Sequence, residues 1–229
     1  MKLEVKRIFQ NERGNIALFV IGILAIMMVL FVFILNLSKV FAVKEQANST
    51  SQQASLAATA VLYDQIEVAI KKYEDETLPG LIDKHPKSIA EKIDEKIIEL
   101  NSNPNYSDYS SNEISIEAVD IVLRDELSKG IGKEELAKTL EDEIEQNIIK
   151  SMTSEARQTI LENNGNLQGA TLTIDDGQVH VKASNTVEAT SYDGFFNNFA
   201  EELFQTSAGP KIDFLEYIPF FGVGERSLE

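Results

Sequence analysis

IALFVIGILAIMMVLFVFIL, residues Ile16–Leu35, carries no charge and no strong hydrogen-bonding side chain. At ~1.5 Å of rise per residue, a helix of that length spans roughly 30 Å, the hydrocarbon thickness of a bilayer. A helix also satisfies its own backbone donors and acceptors, so the run is suited to cross lipid without water. A cleavable signal peptide is the competing reading, with Val40-Phe41-Ala42 as its weak cleavage site. Its apolar core would be about 7–15 residues, shorter than the run seen here. An uncleaved single-pass anchor is therefore expected, with membrane lipid as the partner of residues 16–37.

The flanks set the orientation. Lys2, Lys6, Arg7 and Arg13 precede the run against Glu4 and Glu12, whereas only Lys39 and Lys44 follow closely. Cytoplasmic flanks retain the excess of Lys and Arg, so a cytoplasmic N-terminus and an extracytoplasmic C-terminal part are expected. Residues 1–44 hold six basic and two acidic side chains, so the whole-chain charge of −16 leaves −20 for residues 45–229. Such acidity repels phosphate backbones and argues against nucleic acid as a partner. The absence of cysteine rules out disulfides, thiolate metal ligands and cysteine nucleophiles.

Downstream, Leu56, Ala60, Tyr63, Ile66, Ile70 and Tyr73 recur at helical spacing, which predicts that the anchor continues as a rod to about residue 76. The Ser, Thr and Asn side chains of Asn48–Ser55 compete for backbone hydrogen bonds and mark an expected soft point. Leu78-Pro79-Gly80 should end the rod. Ser88 with Glu91 fits a capping box ahead of Ile89, Ile93, Ile97 and Leu100. Residues 101–112 read as a loop, and Ile116, Val119, Leu123 and Leu127 as a helix stopping at Gly130. Leu136, Leu140, Ile144, Ile148, Met152, Ala156 and Ile160 define the longest of these later helices. Its cluster of Glu141, Asp142, Glu143 and Glu145 reads as a solvated face rather than a cation site.

The period then falls to two. Residues 170–174 and 179–183 alternate around Asp176-Gly177, a hairpin turn signal that sets Ile174 opposite Val179, Leu172 opposite Val181 and Thr173 opposite His180. The second strand runs longer than its partner and should pair elsewhere or bend. Seven of the twelve Phe residues lie beyond residue 190, which suggests that aromatics fill the core. Phe195, Phe196, Phe199, Leu203 and Phe204 fit a short helix. Phe214, Tyr217, Phe220 and Phe221 crowd the tail, where they either close the core or form a partner-docking patch; core closure is the preferred reading.

The expected architecture is α+β. A transmembrane helix extends as a pilin-like rod, followed by a mainly helical domain with a C-terminal β-hairpin or small antiparallel sheet. The expected division is a cytoplasmic stub at 1–15, the span at 16–37, a helical stalk at 38–78 and an acidic extracytoplasmic domain at 79–229. No enzyme is expected: the only histidines are His85 and His180, and no HExxH spacing or phosphate-cradling glycine loop occurs. Neither a cofactor, a metal nor a small-molecule substrate is expected.

Glu12-Arg13-Gly14-Asn15-Ile16-Ala17-Leu18-Phe19 resembles the start of TadE/TadG-like proteins of Flp (Tad) pilus assembly, which enter their hydrophobic segment through an Arg-Gly-Asn/Ser-x-Ala motif. Gln52–Ala60 is similar to the family's alanine-rich stretch, with Gln52 where an acidic residue is usual. Val179–Thr190 resembles the family's final strand. The resemblance implies a non-enzymatic component of a bacterial Flp/Tad-type pilus or related surface-secretion assembly in the cell membrane, with other assembly proteins as partners. Arg13, Gly14 and Asn15 form a processing-like motif. A prepilin-type substrate would be cut after Gly14 and carry Glu at its fifth mature position; Phe19 stands there, so an uncleaved accessory role fits better. The alternative is a membrane-tethered interaction or sensor domain unrelated to pili. The membrane run has Ala17, Gly22 and Ala25 but no small pair four apart, so a GxxxG-type helix contact is not expected.

Overall fold

The structure, a computed structural model, describes residues 12–77, 87–188, 200–219 and 223–229. Its first element, α1 (Glu12–Thr77), is one helix of 66 residues, roughly 100 Å long. No proline occurs within it and no glycine after Gly22, so nothing in the chain interrupts its hydrogen-bond ladder. The helix passes unbroken through the expected soft point. Ser51 Oγ lies 2.8 Å from the Ala47 carbonyl, Ser55 Oγ 2.9 Å from that of Gln52 and Thr59 Oγ1 2.8 Å from that of Ser55. Bonded back in this way, the hydroxyls no longer compete with the helix. Packing against the sheet then outweighs their mediocre propensity.

Tyr63, Ile66, Ile70 and Tyr73 are buried as their spacing predicts, whereas Leu56 is 47% exposed and Ala60 is also exposed. Between residues 47 and 59 the buried face of α1 is instead Ala47, Thr50, Ser51, Ala54, Ser55, Ala58 and Thr59. Small side chains belong there because other backbone comes close. A Cβ on Gly209 would stand 2.6 Å from Thr59 Oγ1, and one on Gly165 would stand 3.0 Å from Thr50 Cγ2.

Three helical units pack on the upper part of α1. α2 (Ile89–Asn101) opens with the expected Ser88–Glu91 capping box, and Ile89, Ile93 and Leu100 are buried. A short 3₁₀ turn (Pro104–Tyr106) interrupts the expected loop. α3 (Ser111–Lys129) has a second capping box, Ser110 with Glu113, and ends at Gly130. α4 (Lys133–Glu143) leads through a π turn (Ile144–Ile148) into α5 (Ile149–Glu162). The π turn follows from the stripe. Its seven apolar residues stand four apart throughout, and each such step overshoots an α-helical turn by about 40°. In the π turn the Ile149 N–H reaches back to the Ile144 carbonyl, which takes up part of that drift. All seven residues are buried. α5 runs antiparallel to α1: Gln65 meets Ser151 at 3.0 Å, and Asn163 meets Gln53 at 3.3 Å.

The sheet is antiparallel in the order β3-β2-β1-β4. β1 (Asn166–Asp175) and β2 (Gln178–Glu188) form the hairpin in the predicted register, with Asp176 (φ 48°) and Gly177 (φ 69°) both left-handed as a type I′ turn requires. The excess length of β2 pairs with β3 (Ala200–Ala208), unbroken from His180↔Ala208 to Glu188↔Ala200. Leu203 and Phe204 therefore lie in a strand, not the expected helix, because the free edge of β2 recruits them. Phe195, Phe196 and Phe199 lie outside the described residues. β4 (Val223–Ser227), which no periodicity announced, pairs with the other side of β1. α1 packs against β2 and β3.

The core is aliphatic rather than aromatic: among the described residues its rings are Tyr63, Tyr73 and Phe214. Phe204 is 37% exposed and lies over Gly169, with Lys182 Nζ 4.9 Å from the ring centre. A 3₁₀ turn (Asp213–Tyr217) closes the core with Phe214, Leu215 and Ile218.

The close approach at Gly209 yields a double-mutant test. Gly209→Ala should destabilise the head by about 1–3 kcal/mol through overpacking against Thr59. In a Thr59→Ala background, where the remaining neighbours stand at 3.4 and 3.7 Å, the same change should cost little. Denaturant unfolding of the detergent-solubilised chain checks this, and simple additivity of the two changes would contradict it.

Candidate functional site

The character of α1 changes along its length, from bare and apolar to buried. From Ile16 to Phe41 its large apolar side chains stand open, Leu18 at 71%, Phe19 at 68%, Met28 at 72% and Phe41 at 63% exposed. No residue of its most apolar window is buried. In water this surface would carry a large hydrophobic penalty, so the segment fits a lipid environment. Asn36, the one amide in the run, donates to the Val32 carbonyl at 3.2 Å, a bond made within the helix itself. Among the described residues Ala47 is the first that is wholly buried, and from there α1 is the spine of the head.

The sheet joins that spine through a polar seam. Thr50 Oγ1 donates to Asn185 Oδ1 at 3.1 Å, and Asn185 Nδ2 donates to the carbonyls of Asn163 at 3.3 Å and Asn164 at 2.9 Å. The single hydroxyl proton of Ser51 is shared between the Ala47 carbonyl and the Gln205 carbonyl, the latter 2.9 Å from Oγ, and Ser207 Oγ donates to Asn48 Oδ1 at 3.3 Å. Asn185 is 2% exposed and Thr50 0%, so each is satisfied without water. Directional bonds of this kind fix the rotation of the head about the helix, which apolar packing alone would specify less sharply.

A second polar anchor holds the closing turn. Asp120, 7% exposed on α3, accepts the backbone N–H of Asp213 at 3.1 Å and of Phe214 at 3.2 Å. Burial pushes its carboxyl up to about 6; those two donors pull it down, and the charges of Asp213 and Glu117 push it up. Tyr63 stacks edge-on against Phe214, ring centres 6.1 Å apart, and its phenol is pushed up by burial first and the Asp120 charge second. One buried carboxylate thus joins α1, α3 and the 3₁₀ turn.

Of the residues singled out from the sequence, Arg13, Gly14 and Asn15 lie in the first turns of α1. Phe214 is wholly buried, which removes it from any docking surface, while Tyr217 on the same turn is 42% exposed. Phe220, Phe221 and His85 lie outside the described residues. His180 sits half-buried opposite Thr173. Glu143 of the acidic face pairs with Lys72 at 2.5 Å. Among the described residues no group of three or more His, Asp or Glu is placed to hold a metal ion. Sequence reading passed over Asp120 and the seam. Asp120 had a signal: it stands four after Ile116 and three before Leu123, on the apolar face of α3.

A long helix, apolar and exposed over one part and buried in an α+β head over the rest, defines the class of this molecule: a head built on a helix long and apolar enough to cross a membrane. Residues 14–61, the apolar part and lower spine of that helix, match the family model described as "Putative Flp pilus-assembly TadE/G-like". This segment of the chain is thus TadE/G-like, and the helical units and the sheet lie outside the match. No curated protein and no solved structure matches the chain.

The raised Asp120 carboxyl makes stability depend on pH. The folded protein holds this proton more tightly than the unfolded chain, whose Asp titrates near 3.8. Its stabilising contribution is complete below that value and is lost as pH rises through about 6. Denaturant midpoints taken across this window should fall more steeply for the native chain than for Asp120→Asn, and equal slopes would refute the assignment.

Proposed function

We propose that this protein is a membrane-anchored, non-enzymatic component of a Flp/Tad-type pilus or a related surface-secretion assembly. Residues 16–37 cross the bilayer once, residues 1–15 stay in the cytoplasm, and the acidic head stands on the extracytoplasmic side of a bacterial cell membrane. Of this head, α1 from Ala47 onward is the spine, and residues 38–46 connect it to the span. The observation that carries the reading is the continuity of α1: one helix has its apolar part exposed and its polar part inside the head, and the family match covers that junction.

The role is mechanical. A continuous helix holds the head at a set height and rotation above the lipid, where other assembly proteins meet it. The head's charge keeps it soluble and off anionic headgroups. Because the helical units and the sheet lie outside the matched residues, partner choice is assigned to them. Tyr217, which is exposed, is the aromatic candidate for that contact, with Phe220 and Phe221 following it in the sequence.

Three measurements test the reading. The chain should remain in vesicles through alkaline carbonate washing, and protease added outside intact spheroplasts should digest most of it. Release by carbonate or full protection would refute the anchor or its orientation. Co-purification from a cell that builds the assembly should recover other pilus proteins. If Phe220→Ser with Phe221→Ser abolishes that recovery while the circular dichroism is unchanged, the tail is the docking patch.

A further inference from the structure

β4 is held by little beyond its own backbone. Gly224, Glu225, Arg226 and Ser227 are all exposed, on both faces of the sheet, and a Cβ on Gly224 would meet nothing within 4 Å. Its ladder with β1 shifts register between Leu172 and Ile174, where the β2–β3 ladder runs without a break. Past the strand, Leu228 is wholly buried in the common core and donates its N–H to the Ala170 carbonyl at 2.9 Å. Glu229 Oε1 accepts the N–H of Gly169 at 2.8 Å.

β1 does not depend on these contacts. It is zipped to β2 by the hairpin, and Ala170, Leu172 and Ile174 are buried beneath it. Without β4 the molecule would therefore keep a formed sheet edge and a socket shaped for Leu228. Open edges of this kind readily accept another extended strand.

We propose that the outer edge of β1, with the Leu228 socket, is an interaction surface for the β4 segment of a second copy of this chain, taken up in place of its own. The contacts made within one chain and between two are the same, so their energy cancels. What remains is the effective concentration of the tethered segment against the concentration of neighbouring copies. The opening step is the release of a short, irregular, mostly exposed strand, which belongs to the low-stability end of a fold. This proposal does not rest on the pilus reading: it concerns the head alone and holds or fails wherever the anchor lies.

The chain has no cysteine, and Thr171 and Ser227 are partners across the β1–β4 ladder, so single introduced thiols report this pairing cleanly. The full-length chain carrying both Thr171→Cys and Ser227→Cys should close a disulfide within one molecule, which checks that the ladder forms. The two single variants, purified in detergent, mixed at high concentration and mildly oxidised, should give a mixed disulfide dimer. Its yield should exceed several-fold that of a control pair of Thr171→Cys with Asp108→Cys, the latter on an exposed loop. Adding Leu228→Ala to the Ser227→Cys chain should bring the yield down to the control level. Exchange is refuted if the double variant closes but the mixed singles do not exceed the control, or if Leu228→Ala leaves the yield unchanged. Failure of the double variant to close removes the ladder and refutes it equally.

Discussion

One uninterrupted ladder of backbone hydrogen bonds, from Glu12 to Thr77, is the constraint on which the rest of this molecule depends. In lipid the ladder is obligatory, because no water is present to satisfy an open N–H or carbonyl. In the head it gives the sheet and the helical units a continuous wall to pack against. The same element answers both demands because its composition changes at about residue 47: bulky apolar side chains below, small and hydroxyl-bearing ones above.

The close contacts follow from that change. Where α1 meets the sheet, Ala54 and Ala58 leave room for neighbouring backbone, and Gly165 and Gly209 bring it within a Cβ's reach of Thr50 and Thr59. Hydroxyls at Thr50 and Ser51 bridge to Asn185 and to the Gln205 carbonyl. Further up, Leu62, Tyr63, Ile66 and Ile70 face larger partners, and the interface becomes an ordinary aliphatic core. The buried face thus passes from a polar, tightly spaced seam to an apolar one. That gradient coincides with the alanine-rich stretch inside the family match.

Much of this was legible in the chain. The long apolar helix, the two-residue hairpin with its register, the capping box of α2 and the apolar stripe of α4 and α5 are local patterns, and each formed as read. The misreadings share a physical cause. Leu203 and Phe204 have helical spacing with residues upstream, yet β2 has an open edge whose unpaired groups only a neighbouring strand could satisfy. Leu56 looked like a core residue by spacing, but the sheet approaches α1 from the side of Ala54 and Ala58. Aromatic bulk was not needed inside, because isoleucine and leucine from five helices already fill the space, and Phe204 instead covers Gly169 from outside.

By itself the sequence determined that a bare apolar helix would seek lipid and that an acidic α+β portion would follow it, since both are consequences of composition and short-range periodicity. Only the tertiary structure decided which face of α1 is the spine, that a buried Asp120 holds the closing turn, and that β4 completes the sheet beside β1. Those outcomes depend on residues about 50 positions or more apart in the chain meeting in space, as Thr171 meets Ser227, Asp120 meets Phe214 and Thr50 meets Asn185, and no local pattern encodes such meetings.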